Sequence, residues 1–181
     1  MPHRDQLIGQ IRSYASQNPG EVDVTQRFLE FVQGYPDCFE RTQSYGHITG
    51  SAFIVDPSGD RTLLTHHRKL DIWVQLGGHS DGDPHTLNVA LREAEEESQL
   101  GDFEPVSEQI FDLDIHKIPA RGDEPEHFHF DVRFAFFHRG DGNYTVTEES
   151  HDLAWVDLND VSRFTTEPDM TRMVTKWKNR V

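Results

Sequence analysis

Cysteine is almost absent: Cys38 is the only one among 181 residues. No intrachain disulfide can form, and no zinc site built on cysteines is available. Lysine is nearly as scarce, with four against 18 aspartates. Lys and Arg together number 17 against 32 acids, a formal net charge of −15. No basic stripe exists to grip a phosphate backbone, so nucleic-acid polymers, long capped RNA included, are disfavoured as partners. The same charge repels anionic lipid headgroups. An Asp-rich, Lys-poor surface suits solubility or high salt. Nowhere do apolar residues run on for about 18 positions, the length needed to span a membrane. Met1-Pro2-His3-Arg4-Asp5 leads into an amphipathic stretch with no apolar signal core. The expectation is a soluble, cytoplasmic protein without a membrane partner.

What is present suffices for a fold. Hydrophobic residues are a lean 35%, but twelve Phe and three Trp supply enough large apolar area for a core, which argues against disorder. The length fits one compact domain with a short appendage. Residues 1–44 read as helical: Leu7, Ile8 and Ile11 form a short apolar stripe, Asn18-Pro19-Gly20 breaks it, and a second helix capped by Asp23 buries Phe28, Leu29 and Val32. From Gly46 the pattern changes to strands: Ile48 to Val55, a turn at 56–60, Arg61 to His66, and Ile72 to Leu76 running into Gly77-Gly78. A helix from Pro84 to Gln99 follows, with Asp83 as N-cap and Pro84 at its first position. Strands return over Val106 to Ile118 and His127 to His138. Arg139-Gly140-Asp141-Gly142-Asn143 reads as a hairpin turn into a strand over Tyr144 to Val156, and a last helix begins near Glu167. The class is therefore α/β (α+β), with strands flanking one central helix and helices at both ends.

The central helix carries Arg92-Glu93-Ala94-Glu95-Glu96-Glu97. At roughly 100° per residue, Glu93, Glu96 and Glu97 share an arc of about 100°, and Glu97 lies about 20° from Ala90 on the apolar stripe. Glu97 thus borders the core. Three converging carboxylates repel one another by a few tenths of a kcal/mol per exposed pair, and by more when partly buried. An oxygen-seeking divalent cation removes that penalty, and Mg²⁺ takes carboxylates together with substrate phosphates. The plain alternative is a solvated helix with a run of charge.

These residues resemble the Nudix hydrolase family. Its box is Gly, five residues, Glu, seven residues, then Arg-Glu-apolar-x-Glu-Glu-x-Gly-apolar. Gly78, Arg92, Glu93, Ala94, Glu96, Glu97 and Leu100 fall on its positions. Two positions depart: Pro84 stands for the first Glu, with Asp81 and Asp83 close enough to offer a carboxylate, and Gln99 stands for the second Gly. Either the helix stop shifts to Gly101 or Gln99 bears mild strain. The resemblance spans about residues 45 to 165 and implies a mixed sheet sandwiched between helices. Residues 45–181 would then form the hydrolase domain and 1–44 a helical extension, either capping the cleft or making a homodimer contact. It also implies hydrolysis of a nucleoside diphosphate linked to another group, with Mg²⁺ or Mn²⁺ as cofactor. By position, Arg92 would orient the glutamates, Glu93, Glu96 and Glu97 would hold metal, the Gly78 carbonyl would add a ligand, and Glu97 or Glu93 would serve as base. In the segment Glu148 to Trp155, similar to the closing strand of Nudix domains, Glu149 is a further candidate for metal or base; its plain reading is an exposed acid. Retention of all three glutamates favours catalysis. The alternative is a catalytically inactive Nudix-fold module that binds a nucleotide.

One more stretch stands out. In His127-Phe128-His129-Phe130-Asp131-Val132-Arg133-Phe134 a strict alternation separates a Phe/Val face from a His/His/Asp/Arg row. Either the row is an ordinary half-exposed sheet face, or it lines a cleft for a small phosphorylated substrate, with Arg133 placed to reach a phosphate or a base edge. His129, Asp131, His116 and His79 would join it. His-x-His-x-Asp also resembles the zinc motif of metallo-β-lactamase-like hydrolases, but Val132 stands where a His should follow, and the interleaved Phe residues argue for a strand interior. His66, His67, Trp73, Gln75 and His79 make a polar–aromatic rim near the glycines, where Trp73 reads as core more readily than as a base-stacking platform.

Overall fold

The computed structural model describes residues 2–122 and 125–180. Met1 and Val181, the outermost residues of the two segments expected above, lie outside them. Two helices open the chain, α1 (Pro2–Gln17) and α2 (Val22–Gly34), joined by a 3₁₀ turn over Pro19–Glu21. Asp23 does not cap α2: the helix starts one residue earlier, which leaves Asp23 in the first turn, where a negative charge meets the positive end of the helix dipole. Among the described residues eight strands follow: β1 (Gly46–Val55), β2 (Arg61–His67), β3 (Ile72–Val74), β4 (Leu76–His79), β5 (Phe103–Pro105), β6 (Asp112–Ile118), β7 (His127–His138) and β8 (Ser150–Asp157). Helix α3 (Thr86–Ser98) lies between β4 and β5, and α4 (Val161–Phe164) and α5 (Pro168–Lys178) close the chain. Among the described residues, no helix is long and apolar enough to cross a membrane.

The strands form one mixed sheet in the order β3-β2-β1-β7-β5, with β4 also on β1, β6 on β7 and β8 on β2. Its spine is the parallel pair β1–β7, in register from Gly46 opposite Phe128 to Val55 opposite Phe137. The other edge of β1 is divided: residues 49–52 pair with β4, and Val55 pairs with Thr62 of β2. On the far edge of β7, β6 runs from Asp112 opposite Arg133 to Ile118 opposite His127, and β5 takes residues 136–138.

That arrangement corrects three expectations. The 139–143 turn does not close a hairpin, because both edges of β7 are already occupied and β8 pairs with β2 instead. The turn is held by the Trp155 indole donating to the Gly142 carbonyl at 3.0 Å and the Gly142 amide donating to His138 Nε2. The strand expected over 106–118 is split, with 106–111 bulging between β5 and β6 after Pro105, which has no N–H to extend a ladder. Helix α3 begins at Thr86, two residues after Pro84. Asp83 caps the preceding turn by accepting the His85 amide at 2.9 Å.

Strand periodicity sets the two faces. Ile48, Ala52 and Ile54 of β1 join Phe130, Val132, Phe134 and Phe136 of β7 in one core with α1, α2 and α3. Phe31 stacks on Phe130 at 3.8 Å between ring centroids, and Phe28 meets the same ring edge-on. Each such buried ring is worth about 1.5–3 kcal/mol. Gly50 lets α3 approach, since a Cβ there would stand 2.8 Å from the Thr86 carbonyl oxygen. On the opposite face, Phe53, Val55, Leu64 and Val156 pack against Met170, Met173 and Val174 of α5. The result is a sheet sandwiched between helices.

Candidate functional site

Helix α3 delivers its glutamates to β4. Glu97 is 6% exposed, Glu93 is half-buried and Glu96 is exposed, the gradation expected from their angular distance to Ala90. Glu97 Oε1 accepts the Gly77 amide at 3.1 Å. Gly78 faces Glu93 so closely that a Cβ would collide with its carboxylate, which explains a glycine at this position in steric terms. Arg92 ties the parts together: its Nη2 donates to Glu93 Oε1 and to the His79 carbonyl, both at 2.8 Å, while Glu96 lies 4.0 Å from its Nε.

Electrostatics mark this corner as short of positive charge. Burial pushes the Glu97 carboxyl up to about 8; the Gly77 amide opposes the shift, and the charges of Glu93, Glu149 and Glu96 add to it. Burial likewise raises Glu93 against the pull of Arg92. Glu149, exposed and ahead of β8, is close enough for its charge to act on both. This donor set fits a divalent cation: Glu93, Glu96, Glu97 and Glu149 offer carboxylate oxygens, and a cation would supply the counter-charge that burial leaves wanting at Glu97 and Glu93. In the present rotamers no three of these carboxylates bring ligand oxygens within 4.8 Å of one another. Glu96, exposed and with only a 4.0 Å pairing to Arg92 on its carboxylate, is the one most readily turned inward.

The two departures from the box are accounted for locally. Gln99 takes the left-handed helix stop itself, at φ 57°, with its Nε2 donating to the Glu96 carbonyl; the stop does not move to Gly101. Asp81 is engaged by Arg41 in a two-pronged ion pair and Asp83 by the His85 amide, so neither points a carboxylate along the start of α3 toward Glu93.

The polar row of β7 is not a half-exposed face. Arg133 is 1% exposed, with Asp131 at 2.6 Å, Asp169 at 2.7 Å, Asp112 at 3.2 Å and Asp114 at 3.7 Å. The structure therefore places it in an internal ion-pair network, with no reach to an external phosphate. Asp112, fully buried, also receives Arg172 and Lys176 of α5. Asp131 is saturated as well, accepting from Thr49, Ser51, Gln75 and Arg133. His79, His116 and His129 are half-buried and gather with His127 and His47 at the β4–β1–β7–β6 end of the same face. Sequence reasoning missed His47. The signal was there: His47, Thr49 and Ser51 alternate with Ile48, Gly50 and Ala52 as the β7 row does. Trp73 stacks on His66 and packs against the second core, as its plain reading expected.

Among solved structures, the chain resembles a C. elegans Ap4A hydrolase in a binary complex at 16% identity, covering 72% of this chain and 94% of that one, with a TM-score of 0.59. It resembles a NUDIX-family hydrolase from Clostridium perfringens at 22% identity, with 73% and 96% covered and a TM-score of 0.51. The NUDIX domain of Shewanella oneidensis NrtR, complexed with ADP ribose, matches at 16% identity, with 83% and 96% covered and a TM-score of 0.53. The fold is the Nudix fold. No protein-family model matches the sequence, and neither does any curated protein. At the β4–α3 corner of this fold, Gly78, Arg92, Glu93, Glu96 and Glu97 lie together.

Proposed function

We propose that the chain is a hydrolase of acid anhydrides that uses Mg²⁺ or Mn²⁺ to cleave a phosphoanhydride bond in a small nucleoside diphosphate linked to another group. One observation carries this reading: a carboxylate buried at Glu97, beside Glu93 and Glu149, on the helix that meets the β4 glycines. A fold optimised for stability alone has no reason to keep that arrangement.

Glu93, Glu96 and Glu97 would hold the cation, with Glu149 and the Gly78 carbonyl as further ligands. When bound, the ion would offset charge on the diphosphate and make a water acidic enough to attack phosphorus. Arg92 fixes Glu93 and anchors α3 to β4 through the His79 carbonyl. Glu97 is the better candidate for the base: Oε1 is taken by the Gly77 amide, which leaves Oε2 to accept the proton of the attacking water. His79, His116 and His129, expected from the sequence to meet substrate, lie on the face of the sheet opposite the glutamates and are not assigned to the cleavage site; Arg133 and Asp131 would act by fixing the strand. Residues 45–181 would form the hydrolase unit, and 1–44 an extension that completes one core layer. Two of the similar structures are an Ap4A hydrolase and a NUDIX domain complexed with ADP ribose, which sets nucleotide-linked diphosphates as the compounds to try first.

A screen of dinucleotides, nucleotide sugars, ADP-ribose, isoprenoid diphosphates and nucleoside triphosphates with Mg²⁺ and Mn²⁺ tests this, read by phosphate release and phosphorus NMR. The expected result is metal-dependent cleavage at one anhydride bond of at least one compound. Tight binding without cleavage would favour the inactive nucleotide-binding module.

A further inference from the structure

A second cluster lies across the sheet from the glutamates. Gly78 faces Glu93, so its neighbour His79 faces the other side of β4, where His47, His127, His129 and His116 converge. Ring centroids of His47 stand 4.9 Å from His79 and His127 and 4.8 Å from His129. His79 and His116 lie 5.0 and 5.3 Å from His129.

Three features make this more than a group of core imidazoles. His47 is 2% exposed, and neither buried ring nitrogen makes a hydrogen bond of full geometry; the Gln43 backbone lies near enough to act on one of them. Even with one nitrogen turned to the Gln43 backbone, a neutral imidazole hidden this way leaves its other nitrogen unsatisfied, which folds avoid unless something binds there. His127 Nδ1 lies 2.9 Å from the Pro125 carbonyl, which can only accept, so Nδ1 carries the proton and Nε2 presents the lone pair. Such a second hydrogen bond is what orients a metal-binding histidine. Finally, His127 Nε2 and His129 Nε2 are 3.3 Å apart. Tetrahedral zinc with Zn–N bonds of about 2.0–2.1 Å spaces its nitrogens by about 3.3 Å. A hydrogen bond between the two rings would account for that pair, but not for His47.

We propose that His47, His127 and His129 form a binding site for one divalent transition-metal ion of the zinc class. Their ligand nitrogens all lie within 4.8 Å of one another, so small rotations of the rings close the site. The site joins the starts of β1 and β7, with His79 or His116 flanking a fourth coordination position. Neutral nitrogen ligands select zinc-class ions over Mg²⁺, whereas the glutamates on the other face select the reverse. The two sites thus divide metals by ligand chemistry.

The test uses the full chain, stripped with a chelator and held in excess Mg²⁺ so that oxygen sites are filled, then titrated with Zn²⁺ alone by calorimetry. The expected result is one Zn²⁺ per chain, and a zinc-edge X-ray absorption spectrum dominated by imidazole nitrogen. His47→Gln and His129→Gln should each weaken binding by about 100-fold or more, while Glu97→Gln leaves it unchanged. No saturable binding, an all-oxygen shell, or loss in Glu97→Gln with the histidine variants unaffected would each overturn the proposal. The spectrum of the wild-type chain decides the matter even if His47→Gln fails to fold. Hydrolysis is read separately, so either site can fail without the other.

Discussion

Glu97 on α3 accepts the amide of Gly77 on β4 at 3.1 Å while its carboxyl sits 6% exposed beside Glu93, Glu149 and Glu96. One hydrogen bond does not offset that desolvation, and the chain carries a buried acid that favours its protonated form.

A pH dependence follows. Glu97 titrates near 8 in the fold against an ordinary 4.5. A raised folded-state value means that the fold holds the proton more tightly than the unfolded chain. Its contribution to stability is therefore complete below about pH 4.5 and is lost as pH rises toward 8. A cation competes for the same carboxylate, so the rise in melting temperature caused by Mg²⁺ should grow between pH 6 and pH 8.5. Differential scanning calorimetry with and without Mg²⁺ checks this; a Mg²⁺ effect independent of pH would contradict it.

Gly78→Ala should act on Glu93. The added methyl occupies the space of the carboxylate, so Glu93 must turn away from Arg92. Mn²⁺ affinity, measured by electron paramagnetic resonance, should fall about 10–100-fold while the far-ultraviolet circular dichroism of the fold persists.

Gln99→Gly should stabilise the protein. Gln99 holds φ 57°, which glycine adopts without a Cβ penalty. Loss of the Gln99 bond to the Glu96 carbonyl is a small, exposed cost. A gain of about 0.5–2 kcal/mol should appear as a higher urea midpoint.

Arg133→Met separates an internal from a substrate-facing role. Removing the guanidinium leaves Asp131 and Asp112 buried without it, and breaking such a pair costs about 3–5 kcal/mol. The urea midpoint should drop sharply. If stability holds and only the KM of the hydrolysed compound changes, Arg133 faces substrate after all.

The glutamate corner was legible because a helix carries its own ruler. The spacing from Ala90 to Glu97 placed one acid at the core edge, and the box residues put Gly78 opposite the others. The β7 alternation was legible for the same reason. Its consequence was not: the polar row is buried because Asp169, Arg172 and Lys176 arrive from α5 and Asp112 from β6, partners that no local pattern announces. His47 escaped notice because its importance depends on β1 lying parallel to β7. The 139–143 segment has sound turn chemistry, but turn chemistry does not say whether a strand edge is vacant. Gln99 shows the converse, since the helix stop stays where the box puts it although the residue is unsuited to it.

The most direct measurement is the rate of Mn²⁺- or Mg²⁺-dependent hydrolysis by wild-type protein and Glu97→Gln on the best compound from the screen. Gln keeps an oxygen for the Gly77 amide and removes the charge, so the variant should fold and melt at or above the wild-type temperature in metal-free buffer at pH 8. Its kcat should fall by about 10²–10⁴-fold. A Glu97→Gln protein that hydrolyses at the wild-type rate would contradict the account.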